Sequence, residues 1–425
     1  MFKTSDEVIV WLSQQPKFGV MPGLLRMETA LLMLQNPHEK LKVIHIAGTN
    51  GKGSTLTYLR CILEEANYQV GSFTSPYIEM FHERICLNGV PISDEELVKC
   101  ANVIQPVAKT VAHTVGPMAE FELITLMSFV YFSQQAVDVV LYEVGLGGRI
   151  DPTNVVMPVV SVVTNVGHDH QGVLGETLEE IAHEKFGIMK RHVSVVTMVE
   201  QSELRALMKR EGEKLQTDIV FCLQHKKPDA VTFEQTGMRF IYDGVVLELS
   251  MHGEHQVKNA ILAYETIKLL NKKEEIAVND VCIYRGLKKA TWKGRFEVIQ
   301  YKGKLIILDG AHNEEGMNSL CEVLRQKYPD KHYHVLMSVL RDKQLSSLIS
   351  PLKALEAQLY FTTFDFYRAP TRASLNEAAM IYDAVVYEPF TEGIHKIMLT
   401  LQEDDCFVVT GSLYFISEVR KYVLA

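Results

Sequence analysis

The run Lys42-Val43-Ile44-His45-Ile46-Ala47-Gly48-Thr49-Asn50-Gly51-Lys52-Gly53-Ser54-Thr55 carries the residue types that bind phosphate. Glycines let backbone N–H groups converge on an anion, and the helix that follows adds its positive N-terminal end. Lysine pairs with phosphate charge, and a hydroxyl ligates Mg2+. The spacing departs from the usual phosphate loop. Ile46 stands where a first glycine belongs, and Gly53 separates Lys52 from Ser54.

Three further stretches carry oxygen and imidazole ligands after apolar runs: Thr74-Ser75-Pro76, Glu143-Val144-Gly145-Leu146-Gly147-Gly148-Arg149, and Asn165-Val166-Gly167-His168-Asp169-His170. A hydroxyl and one carboxylate, completed by phosphate oxygens and water, make an ordinary Mg2+ environment. Lys185, in His183-Glu184-Lys185-Phe186-Gly187, reads from pattern alone as a solvated helix lysine. Asp309-Gly310-Ala311-His312-Asn313 reads either as a functional strand end or as a tight turn with Asn313 capping a helix. Arg295 reads either as a ligand contact or as a linker salt bridge.

These residues need a scaffold that gathers strand ends. Apolar runs at 43–47, 69–73, 137–144, 159–166 and 193–198 alternate with helical patterns at 55–66, 93–112, 121–134 and 178–189. Such alternation predicts a doubly wound, mostly parallel sheet, in which ligands sit at the strands' carboxyl ends. Residues 16–23 read as a loop. Strand-like pieces at 231–234, 238–242 and 245–249, joined by Gln235-Thr236-Gly237 and Asp243-Gly244, read as hairpins that edge the sheet. Trp292-Lys293-Gly294-Arg295-Phe296 marks a boundary. Strand and helix patterns then restart and run to the end, which predicts domains at 1–296 and 297–425, the second a smaller Rossmann-like α/β domain.

The chain has 425 residues, 47% of them hydrophobic, and a net charge of −9. That length predicts more than one core. The acidic balance and the lack of a long basic block argue against nucleic acid as a partner. Seven scattered cysteines without a CxxC pair suggest a reducing compartment. No signal peptide is visible, and no apolar run approaches the roughly 20 residues that span a bilayer, so the expectation is a cytoplasmic protein without membrane partners.

Gly48-Thr49-Asn50-Gly51-Lys52-Gly53-Ser54, Thr74-Ser75-Pro76, the Glu143 to Arg149 run, Asp151-Pro152-Thr153-Asn154, Gly167-His168-Asp169-His170, His255-Gln256-Val257-Lys258-Asn259-Ala260, Gly294-Arg295-Phe296 and Asp309-Gly310-Ala311-His312-Asn313 together resemble the folylpolyglutamate synthase/dihydrofolate synthase family of the Mur ligase superfamily. The resemblance runs through nearly the whole chain in order. It implies an ATP-dependent ligase that phosphorylates a folate or dihydropteroate carboxylate and lets the amine of L-glutamate displace the phosphate. It implies that 1–296 binds ATP and that 297–425 is a glutamate-ligase domain, with ATP across the cleft and closure completing the site.

By the same resemblance Gly48, Thr49, Asn50, Gly51, Lys52, Gly53 and Ser54 hold the phosphates, and Asn259, Arg295, Asp309 and His312 contact ATP. Ser75, Glu143 and His170 serve two Mg2+ sites. Lys185 aligns with the lysine that the family carbamylates, which reverses the pattern reading. Lys52, Glu143, His170 and Lys185 form the catalytic set. Tyr77, Met80, Phe81, Arg84 and Phe121 fall to the reduced folate or dihydropteroate, and Lys343, Arg368 and Ser412 to glutamate. Family members are commonly monomers. One segment departs from the family pattern: Ala119 and Glu120 stand where a threonine and an aromatic are usual. Two other readings of the loop are a Mur-type ligase acting on a nucleotide-sugar peptide and a non-catalytic nucleotide-binding switch.

Overall fold

The apolar runs become strands because they are buried on both faces, as crossover helices require of a parallel sheet. The computed structural model describes residues 1–17, 23–341 and 343–424. Residues 18–22 of the loop expected at 16–23 lie outside the described residues. The chain forms two compact units, one of Met1–Asp229, Phe240–Glu248 and Val257–Ala290, the other of Ala230–Arg239, Leu249–Gln256 and Thr291–Ala425.

The first unit carries β1 (Val43–Ala47), β2 (Val70–Phe73), β3 (Ile85–Leu87), β4 (Val90–Pro91), β5 (Val139–Glu143), β6 (Val160–Val163), β7 (Val195–Thr197) and β8 (Ile219–Phe221). Their order in the sheet is β4-β3-β2-β5-β1-β6-β7-β8. β2, β5, β1, β6, β7 and β8 run parallel, while β3 and β4 add an antiparallel edge. The edge strands are therefore not the expected hairpins. β9 (Asp229–Glu234), β10 (Gly237–Tyr242) and β11 (Val245–Leu249) form a separate three-stranded sheet. The hairpin signals at Gly237 and Asp243-Gly244 specify local pairing; they carry no information about which larger sheet it joins.

Helix Lys52–Glu65 follows the glycine loop and packs against helix Asp280–Lys289. The contact is backbone-close at Gly286, where a Cβ would lie 2.4 Å from the Ile62 Cα. The Cys282 thiol donates to the Glu65 carbonyl, and Lys289 pairs with the Glu65 carboxylate. Helices Asp94–Thr114 and Glu120–Gln134 pack an apolar core that includes Phe73, Phe129, Phe132 and Tyr142. Within it Arg26 and Glu122 form a buried ion pair, 3.0 Å apart.

The second unit is built on β12 (Glu297–Tyr301), β13 (Lys304–Leu308), β14 (His332–Met337), β15 (Gln358–Phe361), β16 (Val385–Val386) and β17 (Asp405–Thr410), in the order β12-β13-β17-β14-β15-β16. Only β12 is antiparallel to its neighbour. Two apolar cores lie against the sheet, one with Met317, Leu320 and Leu324, the other with Ile394, Phe415 and Val419.

Gly286→Ala tests the close contact. Alanine is the better helix former by about 1 kcal/mol, yet its methyl would have to displace backbone. Urea denaturation is expected to show a net loss of about 1–3 kcal/mol, typical of overpacking.

Candidate active site

Parallel pairing puts β1, β2, β5 and β6 carboxyl ends side by side, and each contributes one of the predicted segments. The loop after β1 is pinned to the segment after β6. The Thr49 hydroxyl donates to the Gly167 carbonyl at 3.1 Å and accepts the Gly167 N–H at 3.0 Å. The Asn50 N–H donates to the Asn165 side-chain oxygen at 2.9 Å, and the Thr164 hydroxyl donates to the Asn50 carbonyl at 2.5 Å. Thr164 is the residue that sequence reasoning passed over. Its signal is a hydroxyl at a strand's carboxyl end beside the loop's own strand.

Two glycines are required here. Gly48 has φ +151° and leaves no room for a Cβ, which would fall 1.8 Å from the Thr164 hydroxyl. Gly51 has φ +82°, and its Cβ would fall 2.3 Å from the Asn259 side-chain oxygen. Asn259, expected to contact ATP, sits against the loop at Gly51. Gly51 is also the N-cap of helix Lys52–Glu65 and has no side chain to satisfy the first-turn N–H groups of Lys52, Gly53 and Ser54. The Lys52 ammonium donates back to the Gly48 and Thr49 carbonyls at 3.1 and 3.3 Å. A cation and a helix N-terminus on one glycine turn suit a polyphosphate.

Glu143 ends β5, paired with Ile46 of β1, and is 5% exposed. It accepts the Ser75 N–H at 3.1 Å, so Ser75 and Glu143 are brought together. His170, with φ +53°, is held by Asp169, which accepts its backbone N–H at 2.9 Å and lies 3.8 Å from its Nε2. Among the described residues no three His, Cys, Asp or Glu side chains converge on one point. A buried carboxylate beside a serine still fits Mg2+, which keeps several waters and takes phosphate oxygens.

The aromatic loop after β2 is ordered as a group. The Arg84 guanidinium lies over the Tyr77 and Phe81 rings at 5.2 and 5.7 Å, and Glu83 accepts the Ile78 and Glu79 N–H groups. Met80 is exposed. Phe121 packs on Phe73, and a Cβ on Gly145 would lie 2.6 Å from its ring. Ala119 and Glu122 form the N-terminal cap of that helix, and Glu120 pairs with Lys17.

In the second unit, Asp309 follows β13 and accepts the Phe296 and Ala311 N–H groups at 2.8 and 2.9 Å. Its enclosure pushes the carboxyl up, while Arg295 nearby pulls it down. Arg295 also helps to push His255 down to about 4, after burial. His312 Nδ1 lies 2.9 Å from the Gly310 carbonyl, and Asn313 caps helix Glu314–Lys327. Ser412 is buried and accepts the Tyr414 N–H. Lys343 and Arg368 lie on the segments after β14 and β15, where Arg368 accepts the Arg341 N–H through its carbonyl.

Lys185 overturns the pattern reading: it is 4% exposed. Its helix, Leu178–Phe186, is drawn in by glycines. A Cβ on Gly148 would lie 2.8 Å from the Glu184 carbonyl, and one on Gly187 would lie 2.4 Å from the Arg149 Cα. The Asn154 amide bridges the Arg149 and Gly187 carbonyls. Burial pushes the Lys185 ammonium down to about 7, helped by Lys52 and opposed by Asp169. An unfolded lysine keeps its proton to about pH 10.4. Between those values the unfolded chain binds the extra proton, so stability rises with pH. Lys185→Met is expected to flatten that rise, by up to about 4 kcal/mol between pH 7 and 10 in urea unfolding.

Comparison with known proteins places this geometry. The Mur ligase middle domain matches residues 46–267, and the Mur ligase glutamate ligase domain matches residues 294–413. The dihydrofolate synthase/folylpolyglutamate synthase of Bacillus subtilis is 39% identical over 99% of both chains. The folylpolyglutamate synthase of Lacticaseibacillus casei is 33% identical over 98% of both. The crystal structure of Mycobacterium tuberculosis folylpolyglutamate synthase, complexed with ADP and AMPPCP, superimposes with a TM-score of 0.89 at 26% identity, covering 98% of this chain and 97% of that one. Both Mur ligase domains and relatives of 39% and 33% identity matched nearly end to end make this protein a member of the folylpolyglutamate synthase/dihydrofolate synthase family of ATP-dependent Mur-type ligases.

Proposed function

We propose that the protein joins L-glutamate to the carboxylate of a reduced folate or dihydropteroate, with cleavage of ATP to ADP and phosphate. The observation that carries this reading is the glycine loop pinned beside Ser75–Glu143 and the buried Lys185. A carboxylate oxygen of the acceptor attacks the γ-phosphorus and ADP leaves. The glutamate amine then attacks the acyl phosphate carbon, and the tetrahedral intermediate expels phosphate while the amine gives up its proton. Both steps bring negative groups together, so the protein's task is charge stabilisation and positioning.

In this reading Gly48 to Ser54 hold the phosphates through backbone N–H groups, with Lys52 swinging from its loop carbonyls to phosphate oxygens. Ser75, Glu143 and His170 would hold Mg2+ in two sites, and bound Mg2+ supplies positive charge at the transferring phosphate. Asn259, Arg295, Asp309 and His312 contact the nucleotide. Tyr77, Met80, Phe81, Arg84 and Phe121 take the pterin-bearing substrate. Lys343, Arg368 and Ser412 take glutamate. Residues 1–296 act as the ATP-binding domain and 297–425 as the glutamate-ligase domain. The protein works as a cytoplasmic monomer; no described helix is long and apolar enough to cross a membrane.

Lys185 is carbamylated in this proposal. A lysine with its pKa pushed to about 7 has a large neutral fraction at that pH, and a neutral amine adds CO2. Carbamylation replaces the repulsion from Lys52 with attraction. A carbamate carbonyl signal after equilibration with 13C-bicarbonate, absent from Lys185→Arg, is the expected NMR result.

The activity is tested by ADP release with dihydropteroate and tetrahydrofolate as separate acceptors. ADP formation should depend on L-glutamate with one acceptor or both. Glu143→Ala should lower kcat/KM by about 100-fold or more, the scale of losing a preorganised electrostatic group. Glutamate-independent turnover, or full activity in Glu143→Ala, would overturn the reading.

A further inference from the structure

The turn Gly294-Arg295-Phe296 is held in a conformation that it does not favour alone. Gly294 has φ +67° and Phe296 φ +45°. A bulky non-glycine residue in the left-handed region is strained by about 1–3 kcal/mol and persists only where its surroundings over-determine it. They do so here. The Gly294 carbonyl accepts the Gly310 N–H at 2.9 Å, and the Phe296 N–H donates to Asp309 at 2.8 Å. The Phe296 ring is enclosed by His252 and Tyr328, at 5.7 and 6.5 Å between centroids. The fourth hold is the Gly294 N–H, which donates to Glu297 Oε2 at 2.8 Å.

Glu297 is itself fixed. Arg420, in the last helix, Leu413–Leu424, places its Nε 2.9 and 3.1 Å from the two Glu297 oxygens. The two side chains are only 12% and 20% exposed, so water competes weakly for either. Removing one partner of such a pair leaves a poorly solvated charge, which relaxes by moving. The Glu297 backbone is pinned by its register with Leu308 on β13. The carboxylate therefore has two tasks, gripping the Gly294 N–H and answering Arg420.

We propose that Glu297 and Arg420 are positioning residues for Arg295: the pair fixes the Gly294 N–H, and with it the backbone from which the Arg295 guanidinium projects toward the nucleotide. A Cβ on Gly310 would lie 3.3 Å from Arg295 Nη1, so the guanidinium already lies along the Asp309-Gly310 turn. The proposal rests on the reading of Arg295 as a nucleotide contact.

The experiment measures KM for ATP, kcat and the thermal midpoint for Glu297→Ala, Arg420→Met, their double mutant and Arg295→Ala. Loss of aim weakens ATP binding, whereas a general loss of folded protein lowers apparent kcat and leaves KM alone. Glu297→Ala and Arg420→Met should each raise KM for ATP about tenfold, with kcat within about threefold of the parent. The double mutant should be no worse than the worse single mutant, because the pair acts as a unit. Glu297→Gln keeps an acceptor for the Gly294 N–H and should restore most of the affinity. If Arg295→Ala raises KM for ATP while Glu297→Ala does not, positioning is overturned and the nucleotide reading stands. If Arg295→Ala itself leaves KM unchanged, the nucleotide reading fails as well.

Discussion

The strand-end cluster of the first unit depends on one constraint: the backbone from Gly48 to Lys52 must keep its open glycine turn without collapsing on itself. A helix N-terminus alone would not ensure it, since Lys52 already satisfies itself on the Gly48 and Thr49 carbonyls. The loop keeps its shape because the neighbouring strand end takes up its other polar groups. Thr49 exchanges two hydrogen bonds with Gly167, and Asn50 is held at both ends, by Asn165 and by Thr164. The same bonds fix the start of the segment that carries His168, Asp169 and His170. Glycine loop and imidazole segment are one object with two edges.

A second object lies behind it. Asp151 accepts the Gly145 and Leu146 N–H groups and both the N–H and hydroxyl of Thr153. Burial pushes its carboxyl up, and those four donors oppose the shift. Thr153 in turn meets His45 Nε2 at 2.9 Å, inside β1. Burial holds His45 neutral, pushed down to about 3. The Asp-Pro-Thr-Asn segment therefore ties the glycine turn after β5 to the strand beneath the phosphate loop. Through Asn154 it also ties that turn to the helix of Lys185. Residues that touch no substrate in the proposed chemistry thereby set where Glu143 and Lys185 stand.

Much of this was legible in the sequence where the signal is local. Buried strands announce themselves as unbroken apolar runs, and a parallel sheet follows from their alternation with helices. The strand-end rule then gathers Gly48, Ser75, Glu143 and His170 on one edge. The antiparallel edge was not legible. β3 and β4 are three and two residues long, too short for a period-2 pattern, while the stronger hairpin signals beyond 230 belong to another sheet. The burial of Lys185 was not legible either. Nothing in His183-Glu184-Lys185-Phe186-Gly187 says which face of the helix is covered. The covering comes from Gly148 and Gly187, residues whose message is the absence of a side chain.

That absence also explains how a lysine comes to be buried beside another. Two ammonium groups repel, and burial raises the cost of each charge. Lys52 stays on the rim with two carbonyl oxygens, whereas Lys185 is enclosed with Asp169 as its charge partner. The protein thus keeps one cation available and makes the other easy to neutralise. In the proposed reaction the first of these meets the polyphosphate. Burial is what pushes the Lys185 ammonium down, and the close approach of Gly148 to the Glu184 and Lys185 carbonyls and of Gly187 to Arg149 is what packs its helix against the glycine turn after β5.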